Sequence, residues 1–407
     1  MHILLIHQAF VTLDEPGGTR HYEMARYLAG RGHQVTVIAS PVSYLTGKAE
    51  ASASASEEGD LVGRLRILRT FTYSALHRSF VHRVFSFFSF MASSFLVGLG
   101  VRQVDLVWGT SPPIFQGATA WALARLKRVP FLFEVRDLWP AFAIQVGVLR
   151  HPLLIRASLW LEGFLYRHAD QLMVNSPGFS EHVKSRGAKR VALVPNGTDA
   201  SMFDPYSDGG AFRQAHGLAG KFVALYAGAH GLSNDLGVVL QAAQRLEDRP
   251  EIAIVLLGDG KDKPNLVAQA AQMGLKNVHF LPPVPKNLMG EALAAADACI
   301  AILKPVPMYA TVYPNKVFDY MAAGRPVILA IEGVIRQVIE GANGGICVPP
   351  GDPDALAEAI RALADDPTKG RSLGTNARRY VEAHFDRAVL ANQLEELIVH
   401  CRSDRGS

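Results

Sequence analysis

Cysteine is nearly absent from this chain: Cys299, Cys347 and Cys401 are the only three among 407 residues. They are far apart and lack metal-ligand spacing, which argues against a disulfide framework or a zinc cluster. Two of them sit in apolar runs, so buried, inert thiols in a reducing compartment are expected, and no metal site. A large excess of one charge is also missing. The balance of 41 Lys and Arg against 37 Asp and Glu gives +4 and a pI near 8.9. That is too weak for a nucleic-acid footprint, but it suits an anionic membrane surface or a phosphorylated substrate. The dinucleotide pattern G-x-G-x-x-G does not occur after the first strand, which argues against a nicotinamide enzyme. Residues 1–9 lack the basic start, hydrophobic length and cleavage site of a secretory signal, so a cytoplasmic location is expected.

What is present is a regular alternation of short apolar runs and helical patterns, the signature of parallel sheets built from βαβ units. Strands are predicted at 2–6, 35–39, 65–69, 104–109, 131–134, 171–175 and 191–194. The pattern restarts with strands at 221–227, 252–257, 278–281, 298–302, 327–330 and 345–348. Helices are predicted at 19–31 and 236–246. The fold class expected is α/β, with two doubly wound, Rossmann-like domains facing a cleft. The first spans 1–199 and the second 200–385, joined through the polar, glycine-containing segment 201–220. The final helix, within 386–407, is expected to pack back on the first domain. Residues 49–60, alternating Ala and Ser before an acidic end, read as a flexible loop.

The run 84–101 carries no charge and is bounded by Arg83 and Arg102. It is close to the minimum length for crossing a bilayer. A true span would separate the first three strands from the rest, which leaves two readings. Either the helix has an unusually apolar outer face, lying on an anionic membrane with Arg78, His82 and Arg83 beside it, or it is wholly buried.

Several post-strand loops carry candidate site residues. Gly17 and Gly18 open the first helix, where backbone N–H groups can approach an acceptor or its phosphate. Glu134, Arg136 and Asp137 follow the fifth strand, at the carboxyl edge where open α/β sheets bind ligands. Asp137 could serve as a general base or orient a hydroxyl, and Arg136 could hold a phosphate or carboxylate. In the second half, Gly228 and the Gly258-Asp259-Gly260 loop with Lys263 follow successive strands. Asn315 and Lys316 start a helix whose free N–H groups and partial positive charge suit a phosphate. Asp319, one turn on, could accept ribose hydroxyls. Together these loops suggest a phosphate-containing nucleotide.

At this point the chain resembles the retaining GT-B glycosyltransferases of family 4, and within them bacterial surface-polysaccharide members such as fucosamine transferases. The likeness covers nearly the whole chain. The family's Gly-Gly loop matches Gly17-Gly18, its P-N-G-x-D segment matches Pro195 to Asp199, and its G-x-G donor loop matches Gly258 to Gly260. Its Glu-x₇-Glu motif and following G-x-P-V match 311–327. R-D-L-W-P at 136–140 and P-N-K-V-F-D-Y-M-A at 314–322 resemble the polysaccharide subgroup. The motif departs at Thr311, which stands for the first glutamate, and at Asp319, which stands for the second. The usual Arg and Lys of the first donor loop are replaced by His230, Asn234 and Asp235.

The resemblance implies metal-independent, retaining transfer of a hexosyl or N-acetylaminosugar group from a UDP- or GDP-sugar. The implied acceptor is a lipid-linked saccharide, carried on a polyprenyl diphosphate in O-antigen or capsule synthesis. The enzyme would then be peripheral on the inner face of the cytoplasmic membrane. Donor contacts fall to Gly228, Lys263, Asn315, Lys316 and Asp319, and acceptor chemistry to Asp137 and Arg136. Two rivals stand beside this reading: a sugar-nucleotide 2-epimerase of similar fold, and a catalytically silent nucleotide-sugar-binding subunit.

Overall fold

All thirteen strands expected from the apolar runs are present in the computed structural model, which describes residues 1–42, 63–73 and 80–403. The predicted loop at 49–60 and Arg78 lie outside the described residues. The chain forms two compact units: Met1–Phe10, Thr19–Pro195 and Ala388–Ser407 make the first, Val11–Gly18 and Asn196–Arg387 the second.

In the first unit the strands are β1 (His2–Ile6), β2 (Gln34–Ala39), β3 (Leu65–Arg69), β4 (Leu106–Ser111), β5 (Phe131–Val135), β6 (Gln171–Val174) and β7 (Val191–Leu193). They pair in the order β3-β2-β1-β4-β5-β6-β7, and every pairing is parallel. The central strands β1, β4 and β5 are buried along their whole length, as a sheet covered on both faces requires. One face is covered by the helix Arg20–Gly30 and by the C-terminal helix Arg387–Ser403. Leu390, Ala391, Leu394 and Ile398 of the latter join the core of Leu5, Met24, Leu28 and Val37. Glu395 fixes that helix through His33 at 2.9 Å and Arg31 at 3.1 Å.

On the other face the helix Phe115–Lys127 packs on β4, β5 and β1, flanked by the helices Phe80–Gly100 and Pro152–His168. The uncharged run forms most of the helix Phe80–Gly100. Its inward stripe is Ser86, Phe90, Ser94 and Gly98, spaced four apart so that they share one face. Three of these four are small. They let the helix come close enough that a Cβ on Gly98 would lie 2.5 Å from Leu123. The opposite stripe is solvent-exposed, so the wholly buried reading of this segment is not the one realised. Among the described residues no helix is long and apolar enough to cross a membrane.

The second unit repeats the scheme with β8 (Phe222–Ala227), β9 (Ile252–Leu257), β10 (Val278–Leu281), β11 (Ala298–Ile302), β12 (Val327–Ala330) and β13 (Gly345–Cys347), in the parallel order β10-β9-β8-β11-β12-β13. Alternate residues of each strand feed two cores. Val223, Leu225, Val255 and Cys299 point to one face, and Ala224, Ile254, Leu256 and Ile300 to the other. Cys299 and Cys401 are buried free thiols and Cys347 is half-buried; burial raises the Cys347 thiol to about 11.

Helix Pro367–His384 carries two glycines that separate packing from propensity. A Cβ on Gly374 would lie 2.0 Å from the Gly324 carbonyl oxygen, whereas one on Gly370 would meet nothing closer than 3.9 Å. Gly374→Ala should therefore lower stability by about 1–3 kcal/mol. Gly370→Ala should raise it by about 0.5–1 kcal/mol through helix propensity. Urea unfolding of the two variants checks both signs.

Candidate functional site

In the first unit the carboxyl edge of the sheet gathers residues from β1, β4 and β5 and from the first turn of the helix Arg20–Gly30. Glu134, the penultimate residue of β5, is fully buried. Its carboxylate accepts from Arg20 Nε at 2.9 Å, His21 Nε2 at 2.7 Å and Trp108 Nε1 at 3.2 Å. Arg20 also donates to the carbonyls of Val194 at 2.8 Å and Pro195 at 2.7 Å. Burial works against the charge on Glu134, but His21 and the Arg20 guanidinium outweigh it. The carboxyl is held well below the usual carboxylate range. Burial also lowers His21 to about 4, against the pull of Glu134, so its ring is neutral at pH 7.

His7 stands just past β1, its ring centroid 4.2 Å from that of His21. Its Nδ1 lies 3.0 Å from Thr110 Oγ1, which accepts from Gln116 Nε2 at 2.8 Å. Thr110 thus links His7 to Gln116 in one buried chain of polar contacts. Burial, first, and the charge of nearby residues push this ring well below its ordinary value.

Glu134 is thus an anchor that ties the first helix to the sheet, with both oxygens engaged inside the unit. Arg20, His21 and His7 belong to the same network. Nothing in their local sequence marks them, because Glu134 and its Arg20 partner are 114 residues apart and Arg20 and Pro195 are 175 apart. Asp137 sits in the loop just beyond, half-buried. Burial raises its carboxyl to about 6, opposed by Arg136 and by the Leu138 N–H. Arg136 itself donates to the Pro112 carbonyl at 3.1 Å.

In the second unit the structure brings together Gly228, His230, Gly258, Gly260, Lys263 and Lys316 at the ends of β8 and β9. Gly258 has φ +148°, and a Cβ there would lie 1.9 Å from the Gly228 carbonyl oxygen. No other residue allows the two loops to touch so closely. Lys316 Nζ lies 2.6 Å from Tyr226 Oη and 3.8 Å from that ring's centroid. A Cβ on Gly228 would be 2.8 Å from Nζ. Among the described residues no carboxylate pairs with Lys316, and burial lowers its ammonium to about 7. His230 is fully buried, with both ring nitrogens unpartnered among the described residues. Burial, then the charges of Lys263 and Lys316, lower it to about 4. Two lysines and a neutral imidazole therefore meet at a glycine-lined loop pair, where Asp259 and Asp262 pull on His230 in the opposite sense and Lys316 is the cation with no carboxylate paired to it among the described residues.

The other expected residues are more heavily engaged. Lys263 Nζ donates to the Gly258 carbonyl at 2.7 Å and the Leu281 carbonyl at 3.0 Å, bridging the ends of β9 and β10. Asp319 Oδ1 accepts from Lys286 Nζ at 2.6 Å and Thr198 Oγ1 at 2.7 Å, so Oδ2 is the oxygen that these two bonds leave over. Lys286, which the sequence motifs did not single out, is 93 % buried beside it. Asn315 is the first residue of the helix Asn315–Ala322, and Asn196 Nδ2 donates to the Tyr313 carbonyl at 2.7 Å just before it. The P-N-G segment thus braces the start of that helix. Gly17 and Gly18 are exposed, in the segment that groups with the second unit. Thr311 Oγ1 donates to the Met308 carbonyl at 2.6 Å, closing its own turn. Among the described residues no group of three or more His, Cys, Asp or Glu is placed to hold a metal ion.

Two family models match the chain: a glycosyl transferase 4-like domain over residues 17–197 and glycosyl transferases group 1 over 221–366. The colanic acid biosynthesis glycosyl transferase WcaI of Escherichia coli strain K12 is 26% identical over 384 residues, 91% of this chain and 93% of that protein. Among solved structures, the sucrose-phosphate synthase of Thermosynechococcus elongatus superposes with a TM-score of 0.78 at 20% identity, covering 99% of both chains. The Anabaena protein Alr3699/HepE, solved with UDP and glucose, gives a TM-score of 0.75 at 18% identity, covering 98% of this chain and 99% of its own.

The Glu134 network carries a prediction of its own. Glu134→Gln leaves Arg20 buried without its counter-charge and should cost about 3–5 kcal/mol. Denaturant unfolding followed by circular dichroism measures it.

Proposed function

This chain belongs to the GT-B glycosyltransferases of family 4, and on that premise we propose that it transfers a sugar from a UDP- or GDP-sugar to a lipid-linked saccharide, with retention at the anomeric carbon. The setting proposed is surface-polysaccharide synthesis at the inner face of the cytoplasmic membrane. WcaI, named for colanic acid biosynthesis and matching over most of both chains, supports that setting.

One observation carries the reading: Lys316, buried against Gly228 and Tyr226, has no carboxylate partner among the described residues. A cation held out of water without a counter-ion is costly, and a bound diphosphate relieves that cost. In the proposed role the second unit binds the donor. Lys316, the N–H groups at the start of the helix Asn315–Ala322 and the glycine loops at Gly228 and Gly258 receive the diphosphate. Lys263 adds a nearby charge, and Asp319 Oδ2 accepts from the ribose. Asn315 extends the same helix start.

The transfer breaks the bond between the anomeric carbon and the diphosphate oxygen and forms a bond from that carbon to the acceptor hydroxyl oxygen. The acceptor proton passes to the departing diphosphate, whose growing charge Lys316 stabilises electrostatically. The transition state is oxocarbenium-like, as in glycoside hydrolysis. In the first unit Asp137, as a carboxylate, accepts a hydrogen bond from the acceptor hydroxyl and orients it for attack, and Arg136 helps hold the acceptor's charge. Glu134 acts behind them by fixing the end of β5, and Gly17 and Gly18 leave room for the acceptor.

Thr311 favours a second reading. Where the family has a glutamate, this chain has a hydroxyl engaged with its own turn, which fits a subunit that binds the donor without turning it over. Incubation of the purified chain with membranes bearing lipid-linked acceptors and a panel of UDP- and GDP-sugars separates the two. Acceptor-dependent release of nucleotide diphosphate supports transfer. Donor binding with no release supports the silent subunit, and donor conversion without acceptor an epimerase.

Two outcomes follow with their signs. Diphosphate binding favours the charged form of Lys316, whose value in the free protein is about 7. Binding at higher pH must take up a proton, so UDP affinity should fall by up to about tenfold per pH unit above 7. Lys316→Ala should bind UDP more weakly and lose most of that slope; calorimetry from pH 6 to 9 tests it. Asp137, at about 6 in the free protein, should give an acid limb on which kcat/KM falls as pH drops below 6. Asp137→Asn should lower kcat by about 10²–10⁴ and abolish that limb in a pH–rate profile.

A further inference from the structure

We propose that the first unit docks on an anionic lipid bilayer through one continuous face, made by the outer sides of the helices Phe80–Gly100 and Pro152–His168. On the first helix the outward stripe is Phe85, Phe88, Ala92, Leu96 and Leu99, with Phe85 62% and Leu96 69% exposed. On the second it is Leu153, Arg156, Trp160 and Arg167, with Leu153 68% and Trp160 63% exposed. Large apolar side chains at helical spacing on the solvent side have no role in the core, whose stripe is already filled by Ser86, Phe90, Ser94 and Gly98.

The two faces are joined by aromatic contacts across the helix between them. Trp160 stacks on Phe164 at 5.4 Å, and Phe164 meets Trp121 of the helix Phe115–Lys127 edge-on at 4.8 Å. Phe115 of the same helix contacts Phe88 at 5.5 Å and Trp139 at 5.6 Å. Trp139 lies two residues beyond Asp137, so the apolar face runs to the loop proposed to handle the acceptor.

Charge identifies the occupant. From residue 84 to 167 the exposed charged residues are Arg102, Arg125, Arg128, Arg150, Arg156 and Arg167, of which Arg156 and Arg167 stand on the outward stripe itself. The four carboxylates in that stretch are not exposed. Glu134 and Glu162 are buried in pairs with Arg20 and His182, Asp105 pairs with Arg402, and Asp137 is half-buried. Arginine among exposed Leu, Phe and Trp matches a headgroup region, where cations meet phosphate while the rings sit at the acyl boundary. A second copy of the chain fits poorly, because an isologous dimer through this face would set arginines against arginines. The surface rests on the proposed function only for its purpose, which is to hold the Asp137 loop near an acceptor anchored in the bilayer.

The test uses the full chain with vesicles of phosphatidylglycerol and phosphatidylethanolamine, and with vesicles of phosphatidylcholine alone. Co-sedimentation with the anionic vesicles, weakened by 0.5 M salt, is expected, with fluorescence quenched by lipid brominated along its acyl chains. Trp160→Phe should remove most of the quenching while binding persists. The pair Leu96→Glu and Leu153→Glu should reduce vesicle binding at least tenfold, with no loss of turnover on a water-soluble acceptor. Arg156→Glu with Arg167→Glu should flatten the salt dependence. Absence of binding to anionic vesicles would overturn the surface, as would binding indifferent to these substitutions. Self-association removed by Leu96→Glu would overturn it in favour of a second copy. Vesicle binding without any donor turnover would count against the transferase reading and leave the surface standing.

Discussion

Parallel strand pairing is the constraint on which both candidate sites depend. Parallel neighbours cannot be joined by a tight hairpin, so each strand must be followed by a crossover that returns the chain to the same starting edge. Every loop that leaves a strand end therefore emerges on one edge of its sheet. In the first unit that edge collects His7, Thr110, Glu134 and Asp137 from three strands and their following loops. In the second it collects Gly228, His230, Gly258 and Lys263 from two. Strand order places β1 and β8 near the middle of their sheets, where neighbouring loops crowd, and the glycines answer that crowding.

The two edges meet the crowding with opposite chemistry. In the first unit the buried charge is compensated: Glu134 takes a guanidinium, an imidazole and an indole N–H, and Arg20 spends its remaining donors on the carbonyls of Val194 and Pro195. Such a network is rigid because every donor removed would leave a partner buried alone. In the second unit the balance is left open. Lys316 leans on a tyrosine ring and hydroxyl, and His230 has neither nitrogen engaged among the described residues. An environment that makes two cations less favourable is poised for an anion, the part given to the diphosphate in the proposed function.

Much of this was open to reading from the residues alone. Short apolar runs separated by helical periodicity located the strands, most plainly β1, β4, β5, β9, β11 and β12, where burial of every residue demands near-continuous apolar side chains. The helix start at Asn315 and Lys316 follows Pro314 in the sequence, and the glycines at 228, 258 and 260 stand just past strand ends. Their φ values show why glycine is needed. The uncharged run 84–101 announced an unusual helix. Composition could not say which side of it faced the core, since serine and glycine line the buried stripe and phenylalanine and leucine the exposed one.

The sequence by itself determined the alternation of strands and helices, the repeat into two units and the positions of the post-strand loops. These follow from periodicity and glycine placement, which are local. Only the tertiary structure decided which charges are engaged. Lys263 is bound to two carbonyls and Asp319 to Lys286 and Thr198, while Lys316 has no carboxylate paired with it among the described residues. It also revealed Arg20 and His21 as the partners of Glu134, more than a hundred residues away. Burial and pairing are set by residues distant in the chain, and a side chain's charge acts on whatever the fold brings within a few ångströms of it.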